Sequence, residues 1–217
     1  PVALHHEPTV HRMHWVLNPA GKWELIVKPL HGRGNKNNEG EPCKVLAYTV
    51  PANPKGEWKT SIVADFTHAS HNFHPIQWNP TQGHEILTAA KEGIFRFTRT
   101  DSGPWRKTQL SDSWTGEVRD GKLPGGKRFL GTIEPMHGNQ VVVYRGAASQ
   151  FSTGADWTSS RLVVDESLNQ GHGLAAADLL GVGYDQVVAG WRGTRPGDRV
   201  GIRLYVPVDP AGREWRL

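Results

Sequence analysis

Histidines recur in this chain at places that could share chemistry. His11 and His14 stand in VHRMHW, His71 and His74 in HNFHPIQW, and His172 in GHGLAAADL. Glu117, in GEVRDGKL, opens its stretch as His11, His71 and His172 open theirs. Three imidazoles and a carboxylate gathered together could hold a divalent metal. Zinc is the first expectation for nitrogen and oxygen donors, and magnesium the second. The same groups could move protons, since imidazole titrates near neutrality. A repeated polar residue can also simply hydrogen-bond a neighbouring element. No sequence motif calls for an organic cofactor.

A second polar set lies at four corners. These are Lys28 and His31 in KPLHGRG, Lys91 and Glu92 in AAKEG, Glu134 and His137 in IEPMHGNQ, and Trp191 and Arg192 in AGWRG. Each corner joins two strand-like runs. FLGTIEPMHGNQVVVY (129–144) is the clearest case, with apolar residues on either side of the polar step. The runs alternate apolar and polar residues and are rich in β-branched types, which predicts strands. A tryptophan-led strand closes each unit, from Trp58, Trp105, Trp157 and Trp215. Turns at 18–21, 79–83, 124–126 and 181–183 carry Asn, Pro or Gly, residues that punctuate strands. HGLAAADLL (172–180) could favour helix by propensity, but its place in the repeat predicts an inner strand.

Four strands per unit, repeated four times, predict an all-β chain built as a β-propeller of four-stranded blades. The blades are expected at about 11–64, 71–110, 117–164 and 172–217, in a single domain or arc over 1–217. Val2-Ala3-Leu4 reads as the end of an outer strand, so residues 1–10 complete one. Either the ends meet in a four-bladed ring, or the chain is an arc that a second chain or fragment completes. The arc is the favoured expectation, and since proteins avoid bare sheet edges it would need that second fragment or a partner. The openers should then ring one mouth of the central channel together with the corners.

The fourth repeat, HGLAAADLLGVGYDQVVAGWRG, resembles FG-GAP or VCBS propeller repeats. Asp178 and Asp185 remain of that repeat's calcium turn, but Leu180 and Val182 stand at the intermediate positions. Calcium takes about six to eight oxygen ligands, so these turns are expected to be structural. Taken together, VHRMHW, HNFHPIQW, the stretch 116–144 and GHGLAAADL resemble the propeller domain of the aldos-2-ulose dehydratase/isomerase family, over almost the whole chain. The resemblance implies a lyase that removes water from a keto-sugar such as 1,5-anhydrofructose or glucosone. Dehydration needs a base beside the carbonyl, an acid at the leaving hydroxyl and positive charge near the enolate. His74 or His137 would be the base and Glu134 its orienter or the acid. Lys28 or Arg192 would stabilise the enolate, with His31, Lys91 and Trp191 beside the substrate. His11, His71, Glu117 and His172 would hold the metal. Two alternatives remain: a non-catalytic carbohydrate-binding propeller, and a small-molecule biosynthetic enzyme using the same mouth.

Composition bounds these readings. The chain has 217 residues, 37% of them hydrophobic, enough for a core. The formal charge of +4 is spread along the chain without a basic block, so no nucleic-acid partner is expected. No apolar run reaches the roughly 20 residues of a membrane helix, so no membrane is expected either. Cys43 is the only cysteine, which suits an intracellular protein. The chain starts at Pro1 without a signal-like segment, which suits a processed product.

Overall fold

The computed structural model describes residues 4–79, 82–100, 103–146, 157 and 160–217. These form sixteen strands and almost no helix. The strands make four antiparallel sheets of four, each in chain order. Sheet 1 holds β1 (Val10–Leu17), β2 (Trp23–Pro29), β3 (Cys43–Thr49) and β4 (Thr60–Thr67). Sheet 2 holds β5 (Phe73–Ile76), β6 (Glu85–Ala90), β7 (Gly93–Thr98) and β8 (Arg106–Ser111). Sheet 3 holds β9 (Glu117–Lys122), β10 (Arg128–Glu134), β11 (Gln140–Arg145) and β12 (Arg161–Asp165). Sheet 4 holds β13 (Gly171–Ala177), β14 (Gln186–Trp191), β15 (Gly201–Pro207) and β16 (Trp215–Arg216). The chain divides into two compact units, 1–108 and 109–217. No helix among the described residues is long and apolar enough to cross a membrane.

The Ala-rich stretch is a strand, β13, despite its helical propensity. Its partner β14 offers a complete ladder from Gln186 to Trp191, and pairing overrides intrinsic preference. Each fourth strand starts at its tryptophan or up to four residues after it. Trp157 is fully buried, and Trp215 packs edge-on against Phe129 at 5.2 Å. The outer strand expected at the N-terminus falls largely on residues 1–3, outside the described residues. So do Pro80 and Thr81 of the second turn, and Thr158 and Ser159 after Trp157.

Within each strand alternate residues face opposite ways. On sheet 1 one face carries Val16, Ile26, Val45 and Ala47. In the first unit these pack with Phe73, Ile86, Phe95 and Phe97 of sheet 2. The second unit does the same: Phe129, Ile133, Val141 and Val143 of sheet 3 pack with Leu174, Val187, Ala189 and Tyr205 of sheet 4. At about 25 cal/mol per Å² of apolar area removed from water, these sandwiches are the main stabilising term.

Turns close by the expected chemistry. Asn18 Oδ1 accepts the Lys22 amide at 2.9 Å, and Gly21 takes φ 74°. Asp178 accepts the amides of Val182 and Gly183, each at 2.8 Å, so its carboxylate holds the turn. The Gly/Asn-rich loop 32–41 closes on a tight turn. Asn37 and Asn38 both have positive φ, at 54° and 63°, between the bridged pair Lys36 and Glu39. That is the geometry of a type I′ hairpin, which asparagine tolerates well. Asn35 Nδ2 donates to the His68 carbonyl at 3.1 Å, and Lys91 Nζ donates to the Asn38 carbonyl at 3.3 Å. The loop is thereby tied to sheet 2.

One buried ion pair ties sheet 1 to the end of β7. Arg99 Nη2 donates to Glu24 Oε2, both side chains are buried, and the guanidinium lies 4.5 Å over the Trp105 ring. Removing one partner of a buried pair strands the other charge, at about 3–5 kcal/mol. Arg99→Met is therefore expected to lower unfolding free energy by about 3 kcal/mol or more. Adding Glu24→Leu should restore most of the loss. Urea denaturation of the two variants checks this; a double variant as unstable as the single one would disprove the orphaned-charge explanation.

Candidate functional site

Three of the four openers, His11, His71 and His172, hold matching positions in their sheets, and backbone hydrogen bonds define the match. The corner amide of Leu30 donates to Thr9 O at 2.9 Å, two residues before His11. The Lys91 amide donates to Ala69 O at 2.8 Å, two residues before His71. The Arg192 amide donates to Gln170 O at 3.2 Å, two residues before His172. In sheet 3 the corner residue is Pro135, which has no N–H. There Gly116 donates to Ile133 O at 3.0 Å, and Glu117 opens β9 opposite Ile133, the place that Arg12 and Gly173 hold opposite Lys28 and Gly190.

Two openers share a further device. The register of β1 against β2 slips between Val10 and Arg12, leaving His11 as an extra residue. The register of β13 against β14 slips between Gly171 and Gly173, leaving His172 in the same role. A bulge of this kind re-aims a side chain and is common beside active sites. Thr9 and Gln170, two residues earlier, take positive φ of 57° and 60°.

In the first unit His11 faces His71 with ring centroids 4.8 Å apart, and His71 is buried. His14 meets Phe73 edge-on at 5.0 Å. His74 lies half-buried on β5, opposite Leu87. Lys28 is fully buried, and its ammonium donates to the carbonyls of Asn72 and Ala89. It thus reaches from sheet 1 to sheet 2 beneath the opener, because a buried ammonium needs acceptors. The His31 amide donates to Thr9 Oγ1 at 3.0 Å, and its ring Nδ1 lies 3.4 Å from the His68 carbonyl. Glu92 Oε1 accepts the His68 amide at 3.0 Å and sits 2.7 Å from His68 Nδ1.

In the second unit the corner Pro135–Asn139 is hydrogen-bonded to the segment that leads into β13. Gly171 donates to Gly138 O at 2.8 Å, Leu168 to Asn139 O at 3.0 Å, and Asn139 Nδ2 to Glu166 O at 2.7 Å. These bonds bring His137, itself at φ 57°, onto His172. The rings stack with centroids 4.9 Å apart and planes 13° apart. Each offers one ring nitrogen, and these two atoms lie within 4.8 Å of each other. Glu117 is buried, with Arg119 Nη2 3.8 Å from its Oε2.

Glu134 anchors this corner. Its Oε1 accepts from Thr132 Oγ1 at 2.8 Å and from the Tyr144 hydroxyl at 2.7 Å. Its Oε2 accepts from Arg161 Nε and Nη2 at 3.0 and 2.9 Å. Burial, then the Glu134 charge, pushes the Tyr144 hydroxyl up to about 12. Burial opposes the Arg161 charge, but Glu134 outweighs it and raises the guanidinium further. Arg192 is exposed. Trp191 lies against Gly201, where a Cβ would come within 2.7 Å of its ring, and Arg203 stacks 4.8 Å over it.

Arg161, Tyr144 and the His68–Glu92 contact stand outside the expected set. The only sequence signal for the first two is a polar residue at each end of an otherwise apolar β11–β12 hairpin. No known protein family, curated protein or solved structure matches the chain.

Asp165, opposite Val141 at the far end of the same hairpin, sets the pH behaviour of this corner. Burial works against its charge. Hydrogen bonds from Tyr205, Ser167 and Arg203 outweigh that and hold its carboxyl down at about 2. A depressed carboxylate stabilises above its unfolded value, near 4, and the stability is lost as pH falls toward 2. Asp165→Asn is expected to cost about 2 kcal/mol at neutral pH. It should also flatten the stability curve between pH 4 and 2. Equal acid sensitivity of the variant and the parent would show that Asp165 carries none of this linkage.

Proposed function

We propose that this chain is a carbon–oxygen lyase of the dehydratase type, acting on a keto-sugar, with its chemistry at the His137–His172 corner of the second unit. The observation that carries this reading is the stacked imidazole pair, mounted on a left-handed residue on one side and a strand bulge on the other. The resemblance of stretch 116–144 and of GHGLAAADL to the aldos-2-ulose dehydratase/isomerase family supplies the reaction class.

In this reading His137 takes the proton from the carbon beside the substrate carbonyl. A neutral imidazole is a competent base near pH 7. The exposed guanidinium of Arg192, at the corner of the facing hairpin, offsets negative charge on the enolate oxygen. Glu134, held by four hydrogen bonds, keeps the hairpin and Arg161 in place beneath His137. His172 then donates the proton that accompanies hydroxide departure, so base and acid are separate rings.

The pair also suits a divalent ion. Two imidazole nitrogens on one tetrahedral zinc stand roughly 3.3 Å apart, given Zn–N of about 2.0–2.1 Å. The two nitrogens now lie within 4.8 Å on rings stacked 13° apart, so both rings would have to turn out of the stack for their lone pairs to meet on one ion. An ion held by His137 and His172 would polarise the substrate carbonyl as a Lewis acid. His137 and His172 would then both be ligands, so water or hydroxide from solvent would have to take the proton beside the carbonyl and solvent would supply the one for the leaving group.

The test is direct. Purified protein, with and without added zinc, is incubated with 1,5-anhydrofructose or glucosone, and the conjugated enone product is followed by ultraviolet absorbance. Turnover is expected, and His137→Ala should reduce it at least ~100-fold, the usual scale of a general base. Circular dichroism of the variant should match the parent. Absence of enone under both conditions would reject the lyase reading, and full activity of His137→Ala would remove that residue from the chemistry.

A further inference from the structure

The two units pack their sheets in one sense. Let the front of a sheet be the face carrying Ile26 in sheet 1, and the back the face carrying Leu25. Counting from the matched corners Leu30, Lys91, Pro135 and Arg192 places every other residue. In the first unit the front of sheet 1 packs on the back of sheet 2: Val16, Ile26 and Ala47 against Phe73, Ile86 and Phe97. In the second unit the front of sheet 3 packs on the back of sheet 4: Phe129, Ile133 and Val143 against Leu174, Val187 and Tyr205. Corner counting and hydrophobic packing agree independently.

Two faces of this type are open. The back of sheet 1 carries Met13, Trp15, Trp23, Val50 and Ile62, exposed by 57, 50, 52, 37 and 52%. They are in register: Met13 pairs with Val27, which pairs with Leu46, which pairs with Ile62. Among the described residues the middle of the face is covered, where Leu4 and Trp58 pack on Val27, Leu46 and Tyr48. Trp15, Trp23 and Val50 line a cavity of about 470 Å³ there. Position for position this is the face that sheet 2 buries: Met13 matches Phe73, Leu25 matches Ile86, and Tyr48 matches Phe97.

The front of sheet 4 is the converse. Ala175 pairs with Val188, which pairs with Leu204, as His14, Ile26 and Ala47 pair on the front of sheet 1. Beside them Ile202 is 77% exposed. The residues here, Ala175, Val188, Ile202 and Leu204, are aliphatic and smaller than tryptophan. Those of the open back of sheet 1 are bulky, like the back of sheet 2. Exposed apolar surface in such rows marks an interaction site.

We infer that the front of sheet 4 in one copy of this chain covers the back of sheet 1 in a second copy, head to tail. The contact continues the front-to-back stacking already made once inside each unit. It matches the protruding tryptophans of one face to the smaller side chains of the other. Such a contact is heterologous, so it either closes into a ring or grows.

Two substitutions at exposed positions test this without touching the core. Met13→Glu blocks the back of sheet 1, and Ile202→Glu blocks the front of sheet 4. Sedimentation velocity over a wide concentration range should show the parent associating. Each variant alone should associate at least tenfold more weakly. An equimolar mixture of the two should form a 1:1 dimer, because each keeps the face the other lacks. Tryptophan emission should shift to the blue on association, as Trp15 and Trp23 leave water. A parent that stays monomeric at its solubility limit overturns the inference, and so does an assembly that both variants leave intact. A mixture that remains monomeric while the parent associates would replace it with a contact of another symmetry.

Discussion

The burial of one sheet's front against the next sheet's back is the constraint on which the rest of each unit depends. A four-stranded antiparallel sheet is stable only if at least one face leaves water. Both units meet that need in the same sense, front against back, though only the first sets compact side chains on the front against bulkier ones on the back. Once the faces are locked, strand register is locked too, since a slip of one residue would send every apolar side chain to the wrong side. Corners and openers are then carried to fixed places at the ends of the strands.

Those places are joined by the same short hydrogen bonds in both units. Ser70 donates to the corner carbonyl of Leu30, and Gly171 donates to the corner carbonyl of Gly138. Each bond ties the corner of the first sheet to the segment opening the second. The histidine pairs follow from this joint: His11 with His71 in one unit, His137 with His172 in the other. A pair built this way is positioned by backbone. It can differ in side chains from unit to unit without disturbing the sheets, which is the condition for grafting a site onto a repeat.

The strands were legible because period-two alternation is a local signal, and Gly, Pro and Asn mark where it breaks. Even the Ala-rich β13 could be read, since repeat position outweighs propensity. The equivalent places of His11, His71 and His172 were legible for the same reason. The partners of charged groups were not. Nothing near Glu24 announces Arg99, and nothing near Glu134 announces Arg161, because each partner arrives across a sheet or from another one. Lys28 looks like a surface corner residue, yet its position on the buried front of β2 makes it a staple to Asn72 and Ala89. Nothing in the Gly/Asn-rich composition of the loop 32–41 announces its ties. Its paired asparagines close a tight turn, which the side chain of Asn35 and Lys91 then fasten.

Backbone strain singles out the same places independently. Among the described residues, five that are not glycine have positive φ: Thr9, Asn37, Asn38, His137 and Gln170. The two asparagines tolerate that region at little cost. For a β-branched residue such as Thr9 it is a genuine outlier, and strained backbone costs of order 1–3 kcal/mol and persists where surroundings over-determine it. Thr9 and Gln170 lie two residues before the bulged His11 and His172, and His137 is itself the residue stacked on His172. A fold that needed only to join strands could place glycine at all three positions. Side chains at these positions carry a strain that glycine would avoid, and all three positions lie where the backbone aims a histidine.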